Sequence, residues 1–229
     1  MKPGLALCSI ALVLALGGCG GDDDEKSGPA TNSQTEATAT EATGPGGCKE
    51  ISQPQQKPDG GADKPSAKLD PGKSYEATIE TNCGSFTIAL DQKRAPKTAA
   101  SFVSLGRQGF YDDTVFHRIV PGFVIQGGDP TGTGMGGPGY KTVDKPPAGV
   151  RYTRGSVAMA KAGNESPGTA GSQFFVVTGQ DAGLPPEYAL LGKVTKGLDV
   201  AEKIGMLGDP ATEQPTAVVA IESVKVVSK

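Results

Sequence analysis

Glycine and proline interrupt this chain 34 and 18 times in 229 residues, which pushes its architecture toward short strands, tight turns and loops and away from long helices. Tryptophan is absent and aromatic residues are 5% of the chain. The length suits one ordinary domain of about 100 to 150 residues plus appendages. Lys and Arg number 22 against 25 Asp and Glu, a formal net charge of -3. That balance gives no electrostatic reason to grip a phosphate backbone, so nucleic acid is not an expected partner.

The start of the chain reads as an address. Lys2 precedes an apolar stretch from Leu5 to Leu16, too short to cross a bilayer core of about 30 Å as a stable helix but suited to a signal segment. Leu16-Gly17-Gly18-Cys19 follows and resembles the lipobox of bacterial lipoproteins, although Gly17 is a less usual choice. The resemblance implies that residues 1–18 are removed and that Cys19 is lipidated, placing the protein on the extracytoplasmic face of a cell membrane. Two or more acyl chains hold a protein to a bilayer far more firmly than one. The alternatives are an ordinary cleaved signal or a core segment, against which stands the very polar run directly after Cys19.

Residues 19–72 read as a lipidated cysteine followed by a disordered polar tether. Between Gly20 and Gly72 the large aliphatic residues are Ile51 and Leu69 alone, too little apolar surface to offset the entropy of ordering. A flexible coil of about 50 residues spans on the order of 40 Å. The acidic run Asp22 to Glu25 reads as a solvated tail, since contiguous carboxylates without a turn-forming glycine pattern seldom make a metal site. Of 4 cysteines, Cys8 falls in the signal and Cys19 is assigned to lipid, leaving Cys48 and Cys83. These either form a bridge, which persists outside the cytoplasm, or stand as one buried and one exposed thiol. With 1 histidine in the chain, no zinc site is expected.

The remainder, residues 73–229, reads as one domain. Tyr75, Ala77 and Ile79 alternate with Glu76, Thr78 and Glu80, the period of a half-buried strand. Asn82-Cys83-Gly84 supplies a turn, and Phe86, Ile88 and Leu90 alternate again, making a hairpin. Pro96 opens a helix whose Ala99, Phe102 and Val103 share a face. Further strands are expected at 115–120, 123–126, 156–160, 173–178, 190–194 and 217–227, with a second short helix around Leu198 to Ile204. Many strands and two helices point to a closed antiparallel barrel with helical caps.

Three separated motifs carry a more specific message. Phe116-His117-Arg118-Ile119-Val120-Pro121-Gly122-Phe123-Val124-Ile125-Gln126-Gly127-Gly128-Asp129 closely resembles the signature of cyclophilins. Met159-Ala160-Lys161-Ala162 with Gly171-Ser172-Gln173-Phe174-Phe175 resembles that family's other active-site segment, and Leu190-Leu191-Gly192-Lys193-Val194 its later strand. The resemblance covers essentially residues 73–229. It implies an eight-stranded antiparallel barrel capped by two helices, peptidyl-prolyl cis-trans isomerase activity, and proline-containing polypeptides as partners of a monomeric domain.

That reaction is simple enough to derive. An X-Pro bond turns slowly over a barrier of about 18 to 20 kcal/mol and no bond is made, so neither nucleophile nor cofactor is needed. At the twisted transition state the prolyl nitrogen regains a basic lone pair. A catalyst holds the ring, grips the flanking backbone and offers that nitrogen a donor. The resemblance places Phe123, Val124, Phe175 and Leu184 around the ring, Arg118 as the catalytic donor, Gln126 as its orienting partner, and His117 in a shaping role. Ala160, Gln173 and Gly134 match positions bordering the residue before proline. Lys161 stands where many relatives have Asn, and Tyr188 where they often have His, so both, with Ala162, alter peptide contacts. Gly183 replaces a Trp that contacts cyclosporin in sensitive members, which implies weak inhibition by that drug. Taken alone, His117, Arg118, Phe123 and Phe175 would read as ordinary structural, surface or core residues.

Other chemistries fail on context. Gly132-Thr133-Gly134-Met135-Gly136-Gly137 is followed by Pro138-Gly139 instead of opening a helix, so it is not a dinucleotide loop. No G-x-S-x-G elbow occurs for a serine hydrolase. The competing functions are a proline-peptide binding module with little turnover and a scaffold lipoprotein. An intact Arg118 argues against the first, because a pure binder has no need of it.

Overall fold

The computed structural model describes residues 43–229. The expected signal segment and Cys19 lie outside the described residues.

The hairpin forms as its alternation dictates. Strand β1 (Tyr75–Thr81) buries every second residue, and β2 (Gly84–Leu90) pairs with it from Glu76–Ala89 to Thr81–Gly84 across a two-residue turn. Asn82 in that turn ties down both neighbours. Its amide donates to Lys49 O at 2.8 Å and Val218 O at 3.0 Å, and its oxygen accepts from Ala220 N at 2.9 Å. Helix α1 (Pro96–Arg107) opens on proline, whose missing N–H costs nothing at a helix start, and buries Ala99, Phe102 and Val103.

The chain continues through β3 (Thr114–Val115), β4 (Arg118–Val120), β5 (Val124–Gly127), β6 (Thr142–Val143), β7 (Ser156–Met159), β8 (Thr169–Ala170), β9 (Phe174–Val177), β10 (Leu190–Lys196), α2 (Leu198–Gly205) and β11 (Ala220–Ser228). Where the resemblance implies a closed barrel of eight strands, the sheet has nine, in the order β3-β11-β1-β2-β10-β7-β9-β5-β4, and that order has two ends. The cause lies at residues 115–120, which read as one strand. Val115 pairs with Ala220, and Phe116 N donates to Val219 O, but from Arg118 onward the chain pairs with β5. One apolar run therefore serves both ends of a curled, half-barrel sheet, whose ends approach through an isolated bridge between Val115 and Asp129. β6 and β8 form a separate pair that sequence periodicity does not reveal, being two residues each.

The main core fills the curl. Ile79, Phe86, Ile88, Phe102, Tyr111, Phe116, Ile125 and Phe174 are all essentially inaccessible. Phe174 stands edge-on to Phe102, Tyr111 and Phe116, with ring centroids 5.6, 6.0 and 6.1 Å away, the geometry aromatic quadrupoles favour.

Residues 43–72 differ from a free tether. Cys48 is buried and joined to Cys83 by a disulfide, so of the two alternatives the bridge is the one present. Ala62 and Leu69 pack against the core, and backbone amides along 57–62 donate to carbonyls of residues 130–138. Composition misjudges this stretch because its order comes from hydrogen bonds and a covalent link, which carry no hydrophobic signature.

Candidate active site

The β4–β5 hairpin places the first motif. Gly122 takes φ +69° in its turn, a conformation that L side chains rarely adopt. The turn sets Arg118 opposite Gln126, Ile119 opposite Ile125 and Val120 opposite Val124. Pairing then carries each row sideways: Gln126 opposes Phe175, and Phe175 opposes Ala158. Cross-strand partners share a face. Ile119, Ile125, Val176 and Val157 therefore point into the main core, while Arg118, Gln126 and Phe175 come out on the other side.

On that outer face a second, smaller apolar cluster forms. Val124, Tyr152, Ala158, Phe175 and Val177 are its buried members, and Phe123, Ala160, Leu184 and Tyr188 pack against it half-buried. All four residues expected to hold a ring are thus together. Phe175 and Tyr188 meet edge-on at 5.4 Å, and Tyr152 lies 6.2 and 5.9 Å from them. The Tyr152 hydroxyl donates to Tyr188 O at 2.6 Å and accepts from Tyr188 N at 2.9 Å, clamping that residue at its backbone. Burial, only partly offset by that hydrogen bond, pushes the Tyr152 phenol up to about 12. It is a fixed donor at any ordinary pH.

Arg118 sits at the rim with its guanidinium carbon 6.0 Å from the Phe123 ring centre. Its Nε pairs with Glu213 Oε2 at 2.6 Å, and among the described residues nothing takes its terminal amino groups. Glu213 is itself fixed, with φ +60° and a carbonyl that accepts from Ile119 N at 3.0 Å. The Arg118 guanidinium beside Glu213 holds that carboxyl below its usual range. Sequence reasoning misses Glu213 and Tyr152. They stand 95 and 36 residues from the partners they serve, and nothing local marks them.

Gln126 joins this rim to a depression of about 260 Å³ lined by Gly134, Gly136, Ala160, Lys161, Ala162 and Gln173 among others. Gln126 Nε2 donates to Gln173 Oε1 at 3.1 Å, and Gln173 Nε2 donates to the carbonyls of Gly134 and Gly136, each at 2.9 Å. His117 lies behind this wall, since a Cβ on Gly134 would be 3.5 Å from its ring. Burial pushes the His117 imidazole below its usual value against the opposing pull of Asp129, so it is neutral at pH 7. Burial would raise the Asp129 carboxyl, yet hydrogen bonds from Thr131, Gly136 and Gly134 outweigh it and hold the group low. Lys161 is drawn inward, its side chain 3% exposed. It pairs with Glu187 at 3.1 Å and lies 5.8 Å from the Tyr188 ring centre. Lys141 and Glu165 pair at 3.0 Å on the far rim.

The ring floor, the Arg118 rim and the depression thus adjoin one another through Gln126 and Gln173, with His117 behind them. A wider cleft of about 830 Å³, lined by Lys73, Arg94, Lys193 and Lys229, contains none of the candidate site residues. No group of acidic, His and Cys side chains suited to a metal ion occurs among the described residues.

The chain is similar to known proteins. The family described as cyclophilin type peptidyl-prolyl cis-trans isomerase/CLD matches residues 77–226. A peptidyl-prolyl cis-trans isomerase of Arabidopsis thaliana is 39% identical over 160 residues, 68% of this chain and 96% of its own. A protein of Mycobacterium bovis named a probable peptidyl-prolyl cis-trans isomerase A is 40% identical over 183 residues, 72% of this chain and 99% of its own. A Cryptosporidium parvum cyclophilin-type isomerase solved in the presence of the dipeptide Ala-Pro aligns with TM-score 0.62 and 33% identity, covering 67% of this chain and 99% of that one. The chain belongs to the cyclophilin-type peptidyl-prolyl cis-trans isomerase family. Its function is that of an isomerase of X-Pro bonds.

Proposed function

We propose that this isomerase turns X-Pro bonds of exported polypeptides at the Arg118 rim, with the proline ring on Phe123, Val124, Phe175 and Leu184. The upstream residue then lies across Gly134, Ala160, Lys161, Ala162 and Gln173, beside Tyr188. The observation that carries the reading is the single row in which Arg118 faces Gln126 and Gln126 faces Phe175. It sets a permanent cation beside an apolar floor.

With Nε held by Glu213, the terminal amino groups of Arg118 are left to meet the developing lone pair on the prolyl nitrogen and a neighbouring carbonyl. A guanidinium suits this because it stays charged and presents its donors in a fixed plane. Glu213, and not Gln126 as the resemblance implies, orients Arg118, while Gln126, bonded to Gln173, contacts substrate backbone. His117 is neutral and shapes the wall without transferring a proton. An acceleration on the order of 10⁵ needs roughly 7 kcal/mol, more than one hydrogen bond supplies, so pocket and guanidinium share it. No cofactor enters the reaction.

Anchoring belongs to the same proposal: a monomer held to the outer face of a cell membrane by lipid on Cys19. The lipobox-like Leu16-Gly17-Gly18-Cys19 supports it, as does a disulfide suited to an oxidising compartment. Proline isomerisation limits folding on a scale of tens of seconds, so an enzyme stationed there would act on newly exported chains.

The test is a protease-coupled isomerisation assay on the full chain. Wild type should be fast, and Arg118→Ala should lose at least a hundredfold in kcat/KM while its circular dichroism is unchanged. Peptide binding without acceleration in wild type would mean a binding module. Cys19→Ala should move the protein from the membrane to the soluble fraction, and an unmoved protein would end the lipid-anchor reading.

A further inference from the structure

Residues 49–62 lie ahead of the part of the chain that matches the family. They nonetheless run as a strap along the back of loop 129–141, whose Gly134 and Gly136 wall the depression beside Gln126. Lys57 N donates to Pro130 O at 2.8 Å, Gly60 N to Gly137 O at 2.9 Å and Ala62 N to Pro138 O at 3.1 Å. In return Gly137 N donates to Asp59 Oδ1 at 2.8 Å. Gly60 and Gly139 pass so closely that a Cβ on Gly139 would lie 3.2 Å from Gly60 Cα. The Lys57 ammonium reaches further, donating to the carbonyls of Gly109 and Phe110 at 3.3 and 3.2 Å and to that of Asp112. Upstream, the strap is fixed by the Cys48–Cys83 disulfide and by Lys49 N donating to Asn82 O at 2.8 Å.

The inner side of the loop is gripped separately, by Asp129 accepting from the amides of Gly134 and Gly136 and by Gln173 donating to their carbonyls. A loop so rich in glycine loses much backbone freedom on ordering, and one set of inner bonds leaves its outer side without restraint. The strap supplies that restraint through backbone groups and the Asp59 carboxylate, and none of its residues lines the depression.

We propose that the strap is a positioning element of the active site, in which Asp59 holds loop 129–141 directly, Lys57 moors the strap to residues 109–112, and the two together set the width of the depression that receives the residues before proline. The inference rests on the functional reading of that depression given above. It makes an extension outside the family's shared domain a determinant of peptide affinity.

The test uses the full chain with Asp59→Ala, Asp59→Asn and Lys57→Met. Binding of an Ala-Ala-Pro-Phe peptide is measured by titration, kcat by the coupled assay, and exchange of the Gly134 and Gly136 amides by NMR. Losing one net hydrogen bond corresponds to roughly a three- to tenfold change. Asp59→Ala and Lys57→Met should weaken binding by about that factor and speed amide exchange, with kcat within about twofold of wild type. Asp59→Asn keeps the Oδ1 acceptor and should bind like wild type. A merely structural strap would leave the affinity unchanged in both variants, and that result overturns the proposal. Because affinity is read by titration, a wild type that binds without turnover would defeat the functional reading while the variants still decide the strap. A wild type that does not bind the peptide defeats both.

Discussion

Phe174 and Phe175 are neighbours on one strand and both are almost fully buried, yet they belong to different parts of the molecule. Phe174 faces the main core among Phe102, Tyr111 and Phe116. Phe175 faces the small outer cluster beside Tyr152 and Tyr188. Ile119 and Arg118 repeat the contrast two strands away. The comparison teaches that core and site are two faces of one register. A strand with period two cannot move one without the other, so a one-residue slip would empty both.

The largest effect expected from breaking the comparison is on the core side. Phe174→Ala should cost about 3 to 5 kcal/mol, the usual range for a buried aromatic, read as a fall in denaturant midpoint. Phe175→Ala should cost less stability, since its cluster is small and partly open, but should weaken peptide binding at least tenfold. Equal stability losses with unchanged binding would mean the two faces are not distinct in role.

Glu213→Gln sharpens the contrast within the outer face. It releases Arg118 without touching the ring floor, so kcat should fall about tenfold, worth about 1.4 kcal/mol, while peptide affinity holds. Stability should change by less than about 1 kcal/mol, because a pair this exposed contributes little. Tyr152→Phe removes the hydroxyl that clamps Tyr188 and should cost about 1 kcal/mol, seen as a modest shift in thermal midpoint and a small rise in KM.

The smallest effect is on acidity. The folded Asp129 carboxyl is held below its ordinary value of 3.8. Its hydrogen bonds therefore stabilise loop 129–141 fully above that value and lose their contribution as pH falls through the lower folded one. Amide protection at Gly134 and Gly136 should be flat from pH 5 to 8 and decline below about 4. A decline setting in well above about pH 4 would mean that a group other than Asp129 governs the loop.

How much of this was legible in the sequence depends on how far apart the interacting residues are. The β1–β2 hairpin and both helices were readable because each buries a periodic face within a few residues. Arg118, Gln126 and Phe175 were readable through motif resemblance, whereas periodicity alone would have filed Phe175 with the core and Arg118 with the surface. The chain by itself determined where backbone and side chains alternate, where turns fall, and which residue types are available for the chemistry.

Only the tertiary structure decided the rest. The split of residues 115–120 between two sheet ends depends on which distant strand each half meets. The pairing of Arg118 with Glu213 joins a strand to a loop, and that of Tyr188 with Tyr152 joins two loops. The docking of residues 57–62 on residues 130–138 is made almost wholly by backbone groups. Every residue carries the same carbonyl, and every residue but proline the same amide N–H, so such contacts leave little mark in the order of side chains. They appear only when the fold brings the two stretches within hydrogen-bonding distance.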